Sequence, residues 1–339
     1  MKFMKAIELS QPRLDAFRAA TVATPEPQRG EVLIRQRAAS LNFVDVAVAS
    51  GNYPGPSFPL IPVADGAGEI VALGEDVAKF AIGDRVVAHA KPRWIGGPPR
   101  PYEMRQMRGI SLPGSLAEYV ALPANSLVPV PAHLSFEAAS TLPICGTTAW
   151  NAIRAADVGP GSFVVLLGTG GVSIFTLQLA KAVGATVIIT SSSDEKLERA
   201  KALGADHLIN YRATPDWDGK VLELTGGLGA DLVVETGGSA TFARAVNATA
   251  PGGTLFTIGF VTGAEATINL LPIIIKALKV VGNNTGSVSD LLDAARAVGA
   301  ARIEPVVDKV FSPHEATEAY AHMAAGGLHF GKLVFGLEW

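Results

Sequence analysis

Gly168-Thr169-Gly170-Gly171-Val172-Ser173 is the stretch of this chain best suited to hold a charged ligand. It follows an apolar run at 164–167 and precedes a helix-forming stretch at 174–183. A strand that ends in a glycine turn and opens a helix presents backbone N–H groups and the positive helix end to a pyrophosphate. Glycine at 168 permits the tight turn, and glycine at 170 lets the backbone approach the phosphates. Ser173 stands where a G-x-G-x-x-G pattern would place its third glycine. A second apolar run, 186–190, leads into Ser191-Ser192-Ser193. These serines lie about 20 residues past the glycines, where a ribose is read. The spacing predicts a dinucleotide-binding βαβ unit, with Gly168, Thr169, Gly170, Gly171 and Val172 around the pyrophosphate.

A carboxylate at the ribose position favours NAD, because it bonds the 2′-hydroxyl and repels a 2′-phosphate. Ser191, Ser192 and Ser193 offer hydroxyls there instead, and Lys196 falls in the first turn of the next helix. Tyr211 ends the third strand, with Arg212 beside it. The set predicts NADP(H) in preference to NAD(H). Asp194 and Glu195 are read as serving the helix N-terminus. An ordinary solvated helix start is the competing reading.

The elements that must position these residues follow from periodicity. The 339 residues, 48% hydrophobic and 17% charged, suffice for two domains with large cores. Up to about residue 124, strand signals are short and cut by Gly, Pro and Asp; 31–37 alternates, while 68–73 and 84–90 are rich in β-branched residues. A compact, bent β-barrel is expected there. From Phe136 helices alternate with apolar strands: helix 194–203, strand 207–211, helix 217–224, strand 232–235, helix 241–250, then strands 254–259 and 279–282. Six strands with crossover helices predict an α/β doubly wound parallel sheet. Helix 291–298 and strand 331–335 leave that rhythm, so the tail is expected to return to the first domain. The predicted domains are 1–125 completed by 284–339, and 126–283.

Composition narrows the partners. A formal charge of −3 without a basic run gives no electrostatic case for nucleic acid. No apolar run reaches the roughly 18 to 20 residues of a membrane span, and the first residues lack a signal-peptide apolar core. The single cysteine, Cys145, excludes an intrachain disulfide framework. A cytoplasmic protein acting on a small molecule is expected.

Several short motifs occur in order along the chain: Ser40-Leu41-Asn42-Phe43-Val44-Asp45, Gly51-Asn52-Tyr53-Pro54, Pro62-Val63-Ala64-Asp65-Gly66-Ala67-Gly68, Gly83-Asp84-Arg85-Val86, Gly114-Ser115-Leu116-Ala117-Glu118-Tyr119-Val120, Gly146-Thr147-Thr148-Ala149-Trp150 and His329-Phe330-Gly331-Lys332. With the glycine turn, they make the chain resemble the medium-chain dehydrogenase/reductase superfamily over its whole length. It looks most similar to the zinc-free, quinone-reductase-like and alcohol-dehydrogenase-like members. The resemblance implies a GroES-like barrel domain, a Rossmann domain, a cleft between them and a homodimer formed along the sheet edge near 279–282. It implies cofactor contacts at Thr148, Gly259, Phe260, Asn283 and Lys332, and 2′-phosphate contacts at the serines, Lys196 and Tyr211.

Zinc members of this superfamily hold a catalytic metal with a cysteine, a histidine and a second cysteine. By the resemblance these would fall at Asn42, at Ala64 and at Ile144 or Cys145. At most one thiolate survives, against the roughly three protein ligands of a catalytic zinc, so no metal is expected. The histidines His89, His133, His207, His314, His322 and His329 show no metal-binding spacing and are read as structural or solvated. Cys145 is read as a packed residue. Without a metal, the oxygen of a reduced substrate needs hydrogen-bond donors and a proton. Asn42 and Tyr53 are the candidates, against a turn-forming asparagine and a packing tyrosine. Asp45 and Asp65 are read as bonding local backbone. Residues 91–114 lack a regular period and are expected to form a substrate lid, with Trp94 and Tyr102 as apolar surface and Gly96-Gly97 as hinge, against a disordered surface excursion. Arg93, Arg100, Arg105 and Arg108 would hold an anion or sit solvated. The expected activity is zinc-independent, NADP(H)-dependent hydride transfer to or from a small apolar carbonyl, enone, quinone or alcohol. The alternative is a cofactor-binding structural or RNA-binding relative with little turnover.

Overall fold

The computed structural model describes residues 2–339. They form two compact units: residues up to Thr147 together with Gly286–Trp339, and Thr148–Thr285. In the first unit β1 (Phe3–Leu9) and β2 (Phe17–Ala23) make an antiparallel pair. The strands β3 (Glu31–Ser40), β4 (Asp65–Leu73), β5 (Arg85–Ala88), β6 (Tyr119–Pro123) and β7 (Leu127–Pro129) follow. Alternation in β3 sends Val32 and Ile34 inward against Ile70, Val86, Val120, Leu122 and Leu127. The expected boundary at 125 is passed. Strand β7 pairs with β5, Val87 opposite Val128. The Arg85 guanidinium donates to Leu134 O at 2.6 Å and lies 4.5 Å from the centre of the Phe136 ring. These contacts hold residues 126–147 to the first unit.

The second unit is a six-stranded parallel sheet of β8 (Phe163–Leu167), β9 (Thr186–Ser191), β10 (His207–Asn210), β11 (Ala230–Glu235), β12 (Thr249–Thr257) and β13 (Lys279–Gly282). Its order, β10-β9-β8-β11-β12-β13, is the doubly wound order that reverses beside the first strand. Val165, Ile188, Val233 and Leu255 are wholly buried, as a sheet covered on both faces requires. The helix expected over 241–250 stops at Ala248, and β12 begins at once. Thr249 Oγ1 bonds back to Ala245 O at 2.7 Å, and Pro251 cannot continue a helix.

After helix Val288–Ala300 the tail forms β14 (Val307–Phe311) and β15 (Lys332–Gly336). Strand β15 pairs antiparallel with β3, Val334 opposite Ser40, and Leu41 N donates to Leu333 O at 3.0 Å. A strand from the end of the chain thus lies beside the segment carrying Asn42. Among the described residues no helix is long and apolar enough to cross a membrane.

Candidate active site

The strand ends of the second unit carry the candidate phosphate cradle. Gly168 takes φ +73, a conformation costly for residues with a Cβ, and donates its N–H to Thr190 Oγ1 at 3.2 Å. Gly170 caps helix Gly171–Ala182 in an extended conformation, φ −77 and ψ 179. A Cβ built there meets no atom within 4 Å. The space in front of Gly170 is therefore open to a ligand, at the positive end of a twelve-residue helix. Ser173, in the place of a third glycine, turns inward. Its hydroxyl donates to Leu167 O at 2.9 Å, as does that of Thr236. The serine thus satisfies the strand's last carbonyl and leaves the cradle clear. Thr169 and Thr148 are buried.

The residues expected to read a ribose lie at the ends of β9 and β10, which run in register, Asn210 beside Ser191. Ser191 is buried, whereas Ser192 and Ser193 are half-buried. Ser193 caps helix Asp194–Ala202, accepting from Lys196 N at 3.4 Å, which places Lys196 in the first turn. Tyr211 N donates to Ser191 O at 3.0 Å, and its side chain is exposed. Ser192, Ser193, Lys196 and Tyr211 are thus brought together. Strand β9 ends without a carboxylate, and Asp194 is engaged by Asn210 Nδ2 at 2.7 Å.

Glu235, unremarked in the sequence, organises the far side. It is wholly buried at the end of β11, and its Oε1 accepts from Gly237 N, Gly238 N and Thr241 Oγ1 at 2.6, 2.8 and 2.7 Å. Burial raises the pKa of its carboxyl. Its carbonyl receives Gly259 N at 3.3 Å, which sets Gly259 and the half-exposed Phe260 at the strand ends. Asn283 N donates to Thr257 O at 3.0 Å. A carboxylate that closes an apolar strand just before a glycine pair was the available signal.

In the first unit a buried polar cluster surrounds Asn42, which caps helix Phe43–Ala49. Its Nδ2 donates to Asp65 Oδ2 at 2.9 Å and to Ser40 O at 3.3 Å. Its Oδ1 accepts from Lys332 Nζ at 2.7 Å and from the Cys145 thiol at 3.4 Å. Asn42, Asp45, Asp65, Lys332, Cys145 and Arg108 are all buried. Asp45 accepts from Asn42 N at 2.8 Å and Ala64 N at 3.1 Å, a local backbone role. Asp65 reaches further, to the Asn42 amide and to Ile144 N at 3.2 Å. Burial pushes the Asp45 carboxyl up to about 6 and that of Asp65 up to about 7, against the pull of Lys332. Burial likewise lowers Arg108 to about 10, opposed by Asp65, and raises the Cys145 thiol.

This geometry corrects two readings. Both amide hydrogens of Asn42 are engaged, so the amide has none to give a substrate oxygen; Asn42 holds the cluster together instead. Lys332, expected at the cofactor, has its ammonium on Leu41 O at 2.5 Å and on Asn42 Oδ1. Tyr53 is half-buried against the apolar cluster of Leu41, Val46 and Leu116. Its hydroxyl has no protein partner among the described residues, so it is free to donate.

The side chains at 42, 64 and 145 (or Ile144, the other register), where the resemblance would put the ligands, do not fit a zinc ion. They are an amide, a methyl group and a thiol whose burial resists ionisation, and zinc takes thiolate, imidazole or carboxylate. No three His, Cys, Asp or Glu side chains converge as metal ligands among the described residues. His89 is wholly buried; burial lowers it to about 4, and its Nδ1 accepts from Lys91 N at 3.0 Å.

Segment 91–114 is more ordered than its sequence suggests. Trp94 is only 7% exposed, and its indole N–H donates to Gly97 O at 2.8 Å. Its carbonyl receives Val288 N at 2.9 Å, and Ile95 O receives Ser289 N at 3.0 Å. Trp94 is therefore an anchor, not open apolar surface. Tyr102, on the short helix Pro101–Arg105, is 50% exposed and is the aromatic face this segment offers. Arg93, Arg100 and Arg105 are exposed. Arg108 is wholly buried and donates to Ser115 Oγ at 2.9 Å, so it is structural.

Comparison with known proteins agrees with both units. The alcohol dehydrogenase GroES-like domain family matches residues 28–132, and the zinc-binding dehydrogenase family matches residues 171–300. A zinc-type alcohol dehydrogenase-like protein of Schizosaccharomyces pombe is 43% identical over 91% of this chain and 91% of its own length. A quinone oxidoreductase of Pseudomonas aeruginosa is 31% identical, covering 93% of each chain. A solved NAD-dependent alcohol dehydrogenase superposes with a TM-score of 0.89 at 36% identity, over 99% of this chain and all of the other. The chain belongs to the medium-chain dehydrogenase/reductase superfamily, as an oxidoreductase of the alcohol dehydrogenase and quinone oxidoreductase type.

Proposed function

We propose that this enzyme is a zinc-independent oxidoreductase that prefers NADP(H) and acts on a small, apolar carbonyl, enone, quinone or alcohol. The observation that carries the reading is the pair of substitutions in its sites. A serine triplet with Lys196 replaces a carboxylate at the ribose end, and an amide and a methyl group stand at two metal-ligand positions. The solved relative that is NAD-dependent makes the cofactor preference a matter for direct titration.

The bound nicotinamide supplies or accepts the hydride. The chain's own residues do the rest. The N–H groups at the start of helix Gly171–Ala182 would hold the pyrophosphate. Ser192, Ser193, Lys196 and Tyr211 bind the 2′-phosphate. The Tyr53 hydroxyl donates to the substrate oxygen as charge develops there, and Asn42 acts as a positioning residue.

Tyr53→Phe tests the donor. Loss of one such hydrogen bond costs up to about 10² to 10³ in kcat, with NADPH affinity unchanged. An unaltered kcat removes Tyr53 from the mechanism and leaves it a packing residue. Steady-state oxidation of NADPH across aldehydes, enones and quinones tests the activity as a whole. Tight NADPH binding without turnover on any of them would favour a cofactor-binding relative without catalysis.

A homodimer along β13 completes the reading. This edge strand is largely exposed, and helix Leu270–Ile275 before it exposes Leu270, Leu271, Ile274 and Ile275. An open strand edge beside apolar surface favours pairing with a second copy. Sedimentation velocity should show a dimer; a monomer at working concentration contradicts it.

A further inference from the structure

The buried ammonium of Lys332 bears on the proposed zinc independence, and what is inferred from it rests on that reading. Lys332 opens β15 and is 2% exposed. Its neighbour β3 ends at Ser40, so the side chain meets the chain where Leu41 and Asn42 leave the sheet. There Nζ contacts Leu41 O at 2.5 Å and Asn42 Oδ1 at 2.7 Å. The same Asn42 oxygen takes the Cys145 thiol at 3.4 Å, and the amide nitrogen holds Asp65 at 2.9 Å. A buried ammonium without counter-charge is strongly unfavourable. Asp45 and Asp65 supply that charge, and Lys332 attracts both carboxylates.

Segments 42, 64–65 and 145 are those that would carry a metal in zinc-bearing relatives. Here they converge on one side-chain cation. We infer that the Lys332 ammonium occupies the cation position of the first unit, as a built-in fixed charge that excludes a metal and orients Asn42 and Asp65. Lys332 is thus a positioning residue. The residues at 42 and 64 and the lysine at 332 form one set: acceptors that suit an ammonium are present, and ligands that suit zinc are not. A divalent ion and an ammonium repel each other at such a site, so restoring the ligands alone should not restore the metal.

The test restores them. Asn42→Cys with Ala64→His rebuilds a cysteine, histidine and Cys145 set. Zinc content and affinity are measured by metal analysis and chelator competition for this double variant, and for the same variant carrying Lys332→Met. The triple variant should bind one zinc per chain. The double variant should bind it at least about 100-fold more weakly. Equal zinc affinity in the two overturns the inference, and so does zinc binding by neither. Lys332→Gln, which keeps a hydrogen-bonding head, provides a second neutral form. If both neutral forms fail to fold, Lys332→Arg and Lys332→Gln with Asp65→Asn are examined in the unmodified background. Recovery of a cooperative melt by either supports a fixed charge paired with Asp65, and recovery by neither overturns it. Stoichiometric zinc in the unmodified protein would instead defeat the zinc-independent reading, so the two failures are distinct.

Discussion

Gly170→Ala is expected to leave the protein folded and to weaken NADPH binding about 100-fold, or about 2.7 kcal/mol. The two effects separate because of where the new methyl group goes. Gly170 has φ −77 and ψ 179, which alanine adopts freely, and the added Cβ meets no protein atom within 4 Å. The cost to folding is limited to the poorer capping tendency of alanine, about 1 kcal/mol. The same methyl group stands in the space through which a pyrophosphate must approach the helix start. The phosphate N–H contacts would lengthen, and an anion held off the helix end loses most of its interaction with the helix dipole. A thermal melt and a fluorescence titration on the same sample check both halves. Unchanged affinity would mean that the pyrophosphate does not lie against Gly170.

Ser192→Asp is expected to reverse the cofactor preference, with the ratio of NADPH to NADH affinity falling about 100-fold. Of the three serines, Ser191 is buried and Ser193 is engaged as a helix cap. Ser192 is half-buried and has no such duty, so a carboxylate fits there without disturbing the strand. It would accept from the ribose 2′-hydroxyls of NADH and repel the 2′-phosphate of NADPH. Lys196, one helical turn along, would then pair with the new carboxylate and be lost to the phosphate. A change of about 2.7 kcal/mol is the size expected for gaining one charge-assisted bond while adding one repulsion. Paired titrations of both cofactors against the unmodified and variant proteins decide it. Equal affinities for NADPH and NADH in the unmodified protein would defeat the preference before the variant is made.

Local pattern made the parallel sheet and glycine turn of the second unit legible. The apolar run, glycine turn and helix at 164–183 lie within one stretch of chain, and periodicity reads such stretches directly. Helix Trp217–Leu224 and strand Lys279–Gly282 have the bounds their sequences suggest. The polar cluster of the first unit was not legible in the same way. Lys332 and Asn42 are 290 residues apart, and Asp65 and Ile144 are 79 apart. Nothing local marks a lysine at the head of an apolar strand as the partner of an amide from the opposite end of the chain. Trp94 and Arg108 misled for a related reason. An aromatic and an arginine in an irregular segment suggest exposed binding surface, yet both are buried by contacts that periodicity does not encode. Ser173 looked like a departure from the glycine pattern because the strand carbonyl it satisfies is visible only in three dimensions.

The most direct measurement is NADPH turnover by protein whose metal content is determined before and after dialysis against a strong chelator. Asn42 and Ala64 stand where the resemblance to zinc-bearing members would put two of three ligands, and Lys332 Nζ meets Asn42 Oδ1. The predicted result is protein without stoichiometric zinc, turning over NADPH with at least one aldehyde, enone or quinone at a rate that the chelator leaves unchanged. A stoichiometric metal that is removed together with the activity, and restored together with it, is the result that would contradict a zinc-independent enzyme.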